Sequence, residues 1–147
     1  MSDNAVVYIT DPSLLGSKLF NAIESIRSYQ EKSKGKATTG MEFDIGVALV
    51  RASFMPAKEI PAHLKKVTGY AKKIFAGKKE VLPYLLARLK YASFVLVCVI
   101  EPGLDEERQV EEFLMELNYR LNGLLFIYDS IVDYDGEPLA GPLCETK

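Results

Sequence analysis

The stretch from Phe94 to Tyr128 constrains this chain more than any other, because it reads as an apolar strand, a helix and a second apolar strand with little between them. Phe94-Val95-Leu96-Val97-Cys98-Val99-Ile100 is rich in β-branched and aromatic residues and shows no polar alternation, the pattern of a strand covered on both sides. Glu101-Pro102-Gly103 ends it, since proline has no donor to continue a ladder and glycine permits the turn. Asp105 stands where a helix N-cap belongs, and Glu106 and Glu107 place negative charge near the positive end of the helix dipole. Val110, Phe113, Leu114, Leu117 and Leu121 follow at three- and four-residue spacing, largely opposite Glu111, Glu112, Glu116 and Arg120. Gly123 suits the left-handed position that ends a helix, and Leu124-Leu125-Phe126-Ile127-Tyr128 begins the next strand. The expectation is a β-α-β unit whose strands run the same way through a right-handed crossover.

The rest of the chain reads as material packed against that unit. Ala5-Val6-Val7-Tyr8-Ile9-Thr10 has the β-branched content of a strand, and Asp11-Pro12 supplies an N-cap and a proline at the first helical position. Leu15, Leu19, Ala22, Ile23 and Ile26 predict a helix running to about Gln30. The polar, glycine- and lysine-bearing residues 31–40 predict a surface loop, and residues 42–51 a half-buried strand in which Gly46 marks a bulge or a close backbone approach. Leu64, Val67, Ala71, Ile74 and Phe75 recur at helical spacing opposite Lys65, Lys66, Lys72 and Lys73; a second helix carries Leu85, Leu86 and Leu89 after Pro83. After Tyr128 an irregular bend leads into a hairpin turning at Asp135-Gly136, with Pro138 confining the returning strand to an edge.

Strand-helix-strand, helix pair, strand-helix-strand and hairpin together predict an α+β fold, a ferredoxin-like split β-α-β sandwich with a helical insertion at about residues 55–92 between strands two and three. The alternative is an α/β three-layer parallel sheet. At 147 residues the chain is expected to be a single domain, 1–147, burying ~70% of its unfolded surface without a disulfide or metal staple. No run approaches the ~20 apolar residues of a membrane span, and Met-Ser-Asp-Asn lacks the regions of a signal peptide, so a cytoplasmic protein is expected. Cys98 reads as a small core residue and Cys144 as part of a tail.

Charge is unevenly distributed along the sequence. Residues 1–31 carry two basic and four acidic groups, residues 32–90 thirteen and four, and residues 91–147 three and twelve, giving −2, +9 and −9 and the net charge of −2. Such polarity suits partner guidance, steering of a charged ligand or head-to-tail self-association, and exposed sheet or helix faces offer a surface for a homodimer. Lys65, Lys66, Lys72, Lys73, Lys78 and Lys79 form the principal candidate binding patch. Nucleic acid would meet one sign of charge there, but the strands lack interleaved exposed aromatics and the acidic final third opposes a phosphate backbone, so nucleic acid is disfavoured.

Motifs of reaction chemistry are incomplete. Gly16-Ser17-Lys18 lacks the earlier glycine of a phosphate-binding loop. The acidic run from Asp129 to Glu137 lacks the first ligand and the final glutamate of a calcium loop, so it reads as a solvated hairpin. His63 has no serine or cysteine tied to it by spacing and reads as a structural residue. In the ferredoxin-like reading Glu101 and Asp129 end strands pointing the same way, ~10 Å apart, which leaves an edge with Ser130 as a second candidate site but no converging carboxylates. No cofactor and no metal are expected.

Asn122-Gly123-Leu124-Leu125-Phe126, then Asp129 and Asp133-Tyr134-Asp135-Gly136, resembles the close of certain uncharacterised bacterial domains in which a helix enters a GL[ILV]F strand and a D-x-DG turn. The resemblance covers about the last third and implies a bacterial cytosolic domain with no assigned reaction. The functional expectation is a non-catalytic bacterial protein-interaction module, partner-binding or immunity-type, engaging an unidentified protein partner. The alternatives are a small ligand-binding or hydrolytic enzyme using the edge near Glu101, Asp129 and Ser130, and nucleic-acid binding through the basic helix.

Overall fold

A computed structural model describes residues 4–74, 80–101 and 108–146. The strands are β1 (Asn4–Ile9), β2 (Ser28–Lys34), β3 (Ala37–Asp44), β4 (Leu49–Phe54), β5 (Phe94–Glu101), β6 (Leu124–Ile127), β7 (Ser130–Val132) and β8 (Pro138–Ala140). The helices are α1 (Ser17–Ala22), α2 (Ile60–Ile74), α3 (Val81–Lys90) and α4 (Arg108–Leu121). The strands form one sheet in the order β2-β3-β4-β5-β1-β6-β7-β8, and every neighbouring pair is antiparallel.

Two cores lie on opposite faces of this sheet. Ala5, Val7 and Ile9 of β1 join Leu96, Cys98 and Ile100 of β5 under α4, whose Val110, Phe113, Leu114, Leu117 and Leu121 are buried there. Leu19 and Phe20 of α1 extend the same layer over β3 and β4, where Phe20 meets Phe43 at a ring-centroid distance of 5.1 Å and Phe43 meets Phe113 at 5.6 Å. Tyr8, Val95, Leu124 and Ile131 face the other way, against Val67 and Ala71 of α2 and Leu85 and Leu89 of α3. Helices on both faces account for the apolar run of β5 through Val95, Leu96 and Cys98, whereas Val99 is 38% exposed. Outward from β1 on the α2–α3 side, Arg51 and Ser53 of β4 and Glu101 of β5 are exposed. There Lys32, Glu42, Arg51 and Glu101 form a ladder of alternating charge across four strands, with contacts of 4.0, 3.4 and 2.7 Å.

These observations overturn the ferredoxin-like sandwich and the parallel-sheet alternative. β5, α4 and β6 do form a crossover between strands of one direction, with β1 lying antiparallel between them. In the first half β1 and β2 also run one way on either side of α1 in the chain, but β5, β4 and β3 lie between them, so no second split unit forms. The helix expected to reach Gln30 is a 3-10 turn at Pro12–Leu14 followed by the six residues of α1, and Ser28 already begins β2. Leu15 and Gly16 take extended and glycine-type backbone, which separates the two short helical pieces. The loop expected over residues 31–40 is the β2–β3 hairpin, turning through Gly35 at φ 65°. β2 is an edge strand whose side chains are exposed save for half-buried Tyr29, so it carries no apolar alternation to announce it.

The strand expected over residues 42–51 is two strands. Gly46, at φ 88°, sits in the turn between them, its N–H donating to Asp44 Oδ1 at 2.8 Å, and the Arg27 guanidinium lies where a side chain would go. The helical stretch expected at about 55–92 consists of α2 and α3, which form one outer layer. The bend expected after Tyr128 is a β6–β7 hairpin whose two turn residues, Tyr128 and Asp129, adopt φ of 52° and 60°, a type I′ geometry. Asp135-Gly136 turns the next hairpin, and Pro138 lies in edge strand β8. The left-handed residue after α4 is Asn122, at φ 52°, rather than Gly123, which is kept small by Asn118 Oδ1 and Tyr8 O, 2.9 and 3.0 Å from where its Cβ would stand. Asp105 and its neighbours lie outside the described residues.

Two glycines give opposite expectations. A Cβ at Gly40 would stand against the Ala52 carbonyl oxygen of the neighbouring strand, whereas one at Gly69, within α2, meets nothing within 4 Å. Gly40→Ala is expected to lower unfolding free energy by about 1 to 3 kcal/mol, and Gly69→Ala to raise it by about 0.8 kcal/mol, both read from urea unfolding.

Candidate functional site

The lysine pattern of α2 survives as surface geometry. Val67 and Ala71 fix the helix against the sheet, and Lys65, Lys66, Lys72 and Lys73 stand exposed on its far side. None of these four is in a salt bridge with a described residue. Lys78 and Lys79 lie outside the described residues. α3 adds Arg88 and Lys90 and no acidic group, so the two helices together carry six basic and no acidic residues. Between them runs an open groove of about 870 Å³. Its floor is apolar, built from Ile60, Leu64, Leu86 and Leu89, and Lys65, Lys72 and Lys90 stand along it.

The second candidate edge is not drawn together. Glu101 is exposed and accepts from Arg51 Nη1 at 2.7 Å, on the β4 side of β5. Asp129 lies beyond β1, its carboxylate on an exposed hairpin turn and its backbone carbonyl accepting from the Tyr70 hydroxyl at 3.2 Å. Ser130 is fully buried; its hydroxyl donates to Tyr128 O at 3.3 Å and accepts from Leu143 N at 3.0 Å, which docks the C-terminal 3-10 turn on the sheet. A hydroxyl so engaged has no base beside it to make it a nucleophile.

The sequence reading missed a polar network at the end of the sheet where β6 starts and β7 stops. Asp133, read as part of a solvated hairpin, is only 6% exposed. Its carboxylate accepts from the Tyr84 hydroxyl at 2.7 Å and from Tyr134 N at 2.9 Å, with Arg88 Nη2 at 3.7 Å. Arg88 also donates to Asn122 O at 2.8 Å, so a cation meets the negative end of the α4 dipole. Asn118, within α4 and buried, donates to Asp133 O at 3.2 Å. Burial, followed by the hydrogen bond to Asp133, pushes the Tyr84 phenol up to about 12. These contacts tie α3 on one face to α4 on the other. The only trace in the sequence was aspartate and asparagine at positions otherwise apolar.

A second polar pair lies beneath α2. The Tyr8 hydroxyl, buried in the second core, is 2.9 Å from His63 Nε2, and the rings stack at 5.6 Å. The phenol has no other partner among the described residues, so its proton is satisfied by donation to Nε2. Burial, and then the charge of Lys66, holds His63 below the usual histidine value. Burial likewise pushes the Cys98 thiol up to about 12, away from nucleophilic chemistry. Among the described residues, no group of three His, Cys, Asp or Glu side chains is arranged to hold a metal ion, and no helix is long and apolar enough to cross a membrane. No protein-family model, curated protein or solved structure matches the chain.

Arg88→Met leaves the Asp133 carboxylate buried without its cation and is expected to cost about 3 kcal/mol. Tyr84→Phe, which removes one hydrogen bond to that carboxylate, is expected to cost about 1.5 kcal/mol, and urea unfolding checks both. His63 gives a pH dependence: as pH falls below ~6.5 the unfolded chain takes up a proton that the folded site resists, so stability is lost on acidification. His63→Phe should therefore show a smaller loss of stability between neutral and mildly acidic buffer than the parent, measured by urea midpoints at each pH.

Proposed function

We propose that this protein is a non-catalytic interaction module of the partner-binding or immunity type, which engages an acidic, amphipathic segment of another protein in the groove between α2 and α3. One observation carries the reading: an apolar floor of Ile60, Leu64, Leu86 and Leu89 is flanked by Lys65, Lys72 and Lys90, and neither helix carries an acidic residue. An apolar helix face needs such a floor to leave water, and carboxylates flanking it meet lysine ammonium groups that are in no salt bridge with a described residue. A nucleic-acid backbone would use the same charges, but it gains nothing from four apolar side chains along the groove. A cytoplasmic setting belongs to this reading, supported by the unpaired thiol of buried Cys98.

A synthetic amphipathic helix with leucines on one face and flanking glutamates serves as the probe, followed by fluorescence anisotropy. Wild-type protein should bind it with an affinity that falls steeply as salt rises, and Lys65→Glu with Lys72→Glu should weaken binding at least about tenfold. A Leu64→Asp variant should weaken it too, while displacement of the peptide by a short oligonucleotide would favour nucleic acid instead. Peptide binding indifferent to the lysine reversals would remove α2 from the proposal.

A further inference from the structure

We propose that a separate cavity, at the end of the sheet where β3 starts, β4 ends and β5 starts, binds a small organic cation with an aromatic or alkyl body. The cavity measures about 450 Å³, within the range of small-molecule sites. Phe20, Phe54 and Phe94 provide aromatic walls, and Met41 and Met55 provide polarisable, adaptable ones. The aromatic walls are held in place: Phe20 packs edge-on against Tyr29 and Phe43 at 5.0 and 5.1 Å, and Phe54 stands perpendicular to Phe94 at 5.8 Å.

Charge selects the ligand class. Glu31 is the one charged residue among the described residues lining the cavity, and it stands in β2 directly opposite Met41 of β3. Glu31 is in no salt bridge with a described residue, whereas the next residue, Lys32, pairs with Glu42. The hydroxyl of Ser93, also in the lining, faces the Ile9 and Thr10 carbonyls at 3.4 Å and is not available to hold an anion. Aromatic walls and a single carboxylate suit a cation together, and that carboxylate repels an anion of the same shape.

Phenylbutylamine, phenylbutanol and phenylbutanoate share one body and differ in charge, and methionine-methyl NMR reports where they go. Met41 and Met55 line the cavity, while Met115 lies on α4 outside it. The amine should shift the Met41 and Met55 signals saturably, leave Met115 in place and bind at least about tenfold tighter than the carboxylate, a ratio worth about 1.4 kcal/mol. Glu31→Gln should remove that preference while keeping the body bound. Ala57→Trp, an exposed lining residue at the cavity wall, should abolish the shifts with Met115 unchanged, showing that the fold persists. Met41 and Met55 signals unmoved by the amine, a carboxylate binding as tightly as the amine, or a preference that survives Glu31→Gln would each overturn the assignment.

Discussion

The structure depends on β1 being a strand with two insides. Its alternate residues enter different cores: Ala5, Val7 and Ile9 face α4, while Tyr8 faces α2 and α3. A slip of one residue in its pairing would send the Tyr8 hydroxyl under α4, away from His63, and drive Val7 toward the basic helices. β5 and β6 hold it from both sides, six residues deep on β5 and three on β6. With the register of β1 fixed in this way, α4 and the α2–α3 pair can each find a complete apolar surface, and the remaining strands add outward from that centre.

How much of this the sequence disclosed follows from burial. Residues buried on both sides announce themselves, so β5, α4 and β6 were legible from Phe94 to Tyr128, as was the apolar stripe of α2. Residues 15–34 were not, because Leu15, Leu19 and Ile23 satisfy a helical spacing while serving a 3-10 turn, a short helix and a loop. An edge strand such as β2 lies half in solvent, and its polar side chains carry no period that separates it from a loop. Directional contacts left still less trace. Nothing in the spacing of Tyr84, Arg88 and Asp133 indicates that they meet, since the hydrogen bond from Tyr84 to Asp133 spans 49 positions in the chain. The lysine-rich face was legible, but the groove beside it was not, because Leu86 and Leu89 come from another helix.

Charge segregation in the sequence becomes a difference between layers. The charged residues of α2 and α3 are all basic, whereas α4 mixes Glu111, Glu112 and Glu116 with Arg108 and Arg120, two of these pairs lying four residues apart on one helix. Pairs of that kind neutralise each other locally. The lysines of α2 have no such partners among the described residues, which leaves their field directed outward.

The outermost strands also decide what the sheet declines to do. An eight-stranded antiparallel sheet ends in two rows of unpaired peptide groups, each a template on which further chains can polymerise. β8 is three residues long and begins with proline, and β2 carries Lys32 and Lys34 with a break in register between Lys32 and Ser33. Both ends are thus poor templates for lateral pairing with another chain.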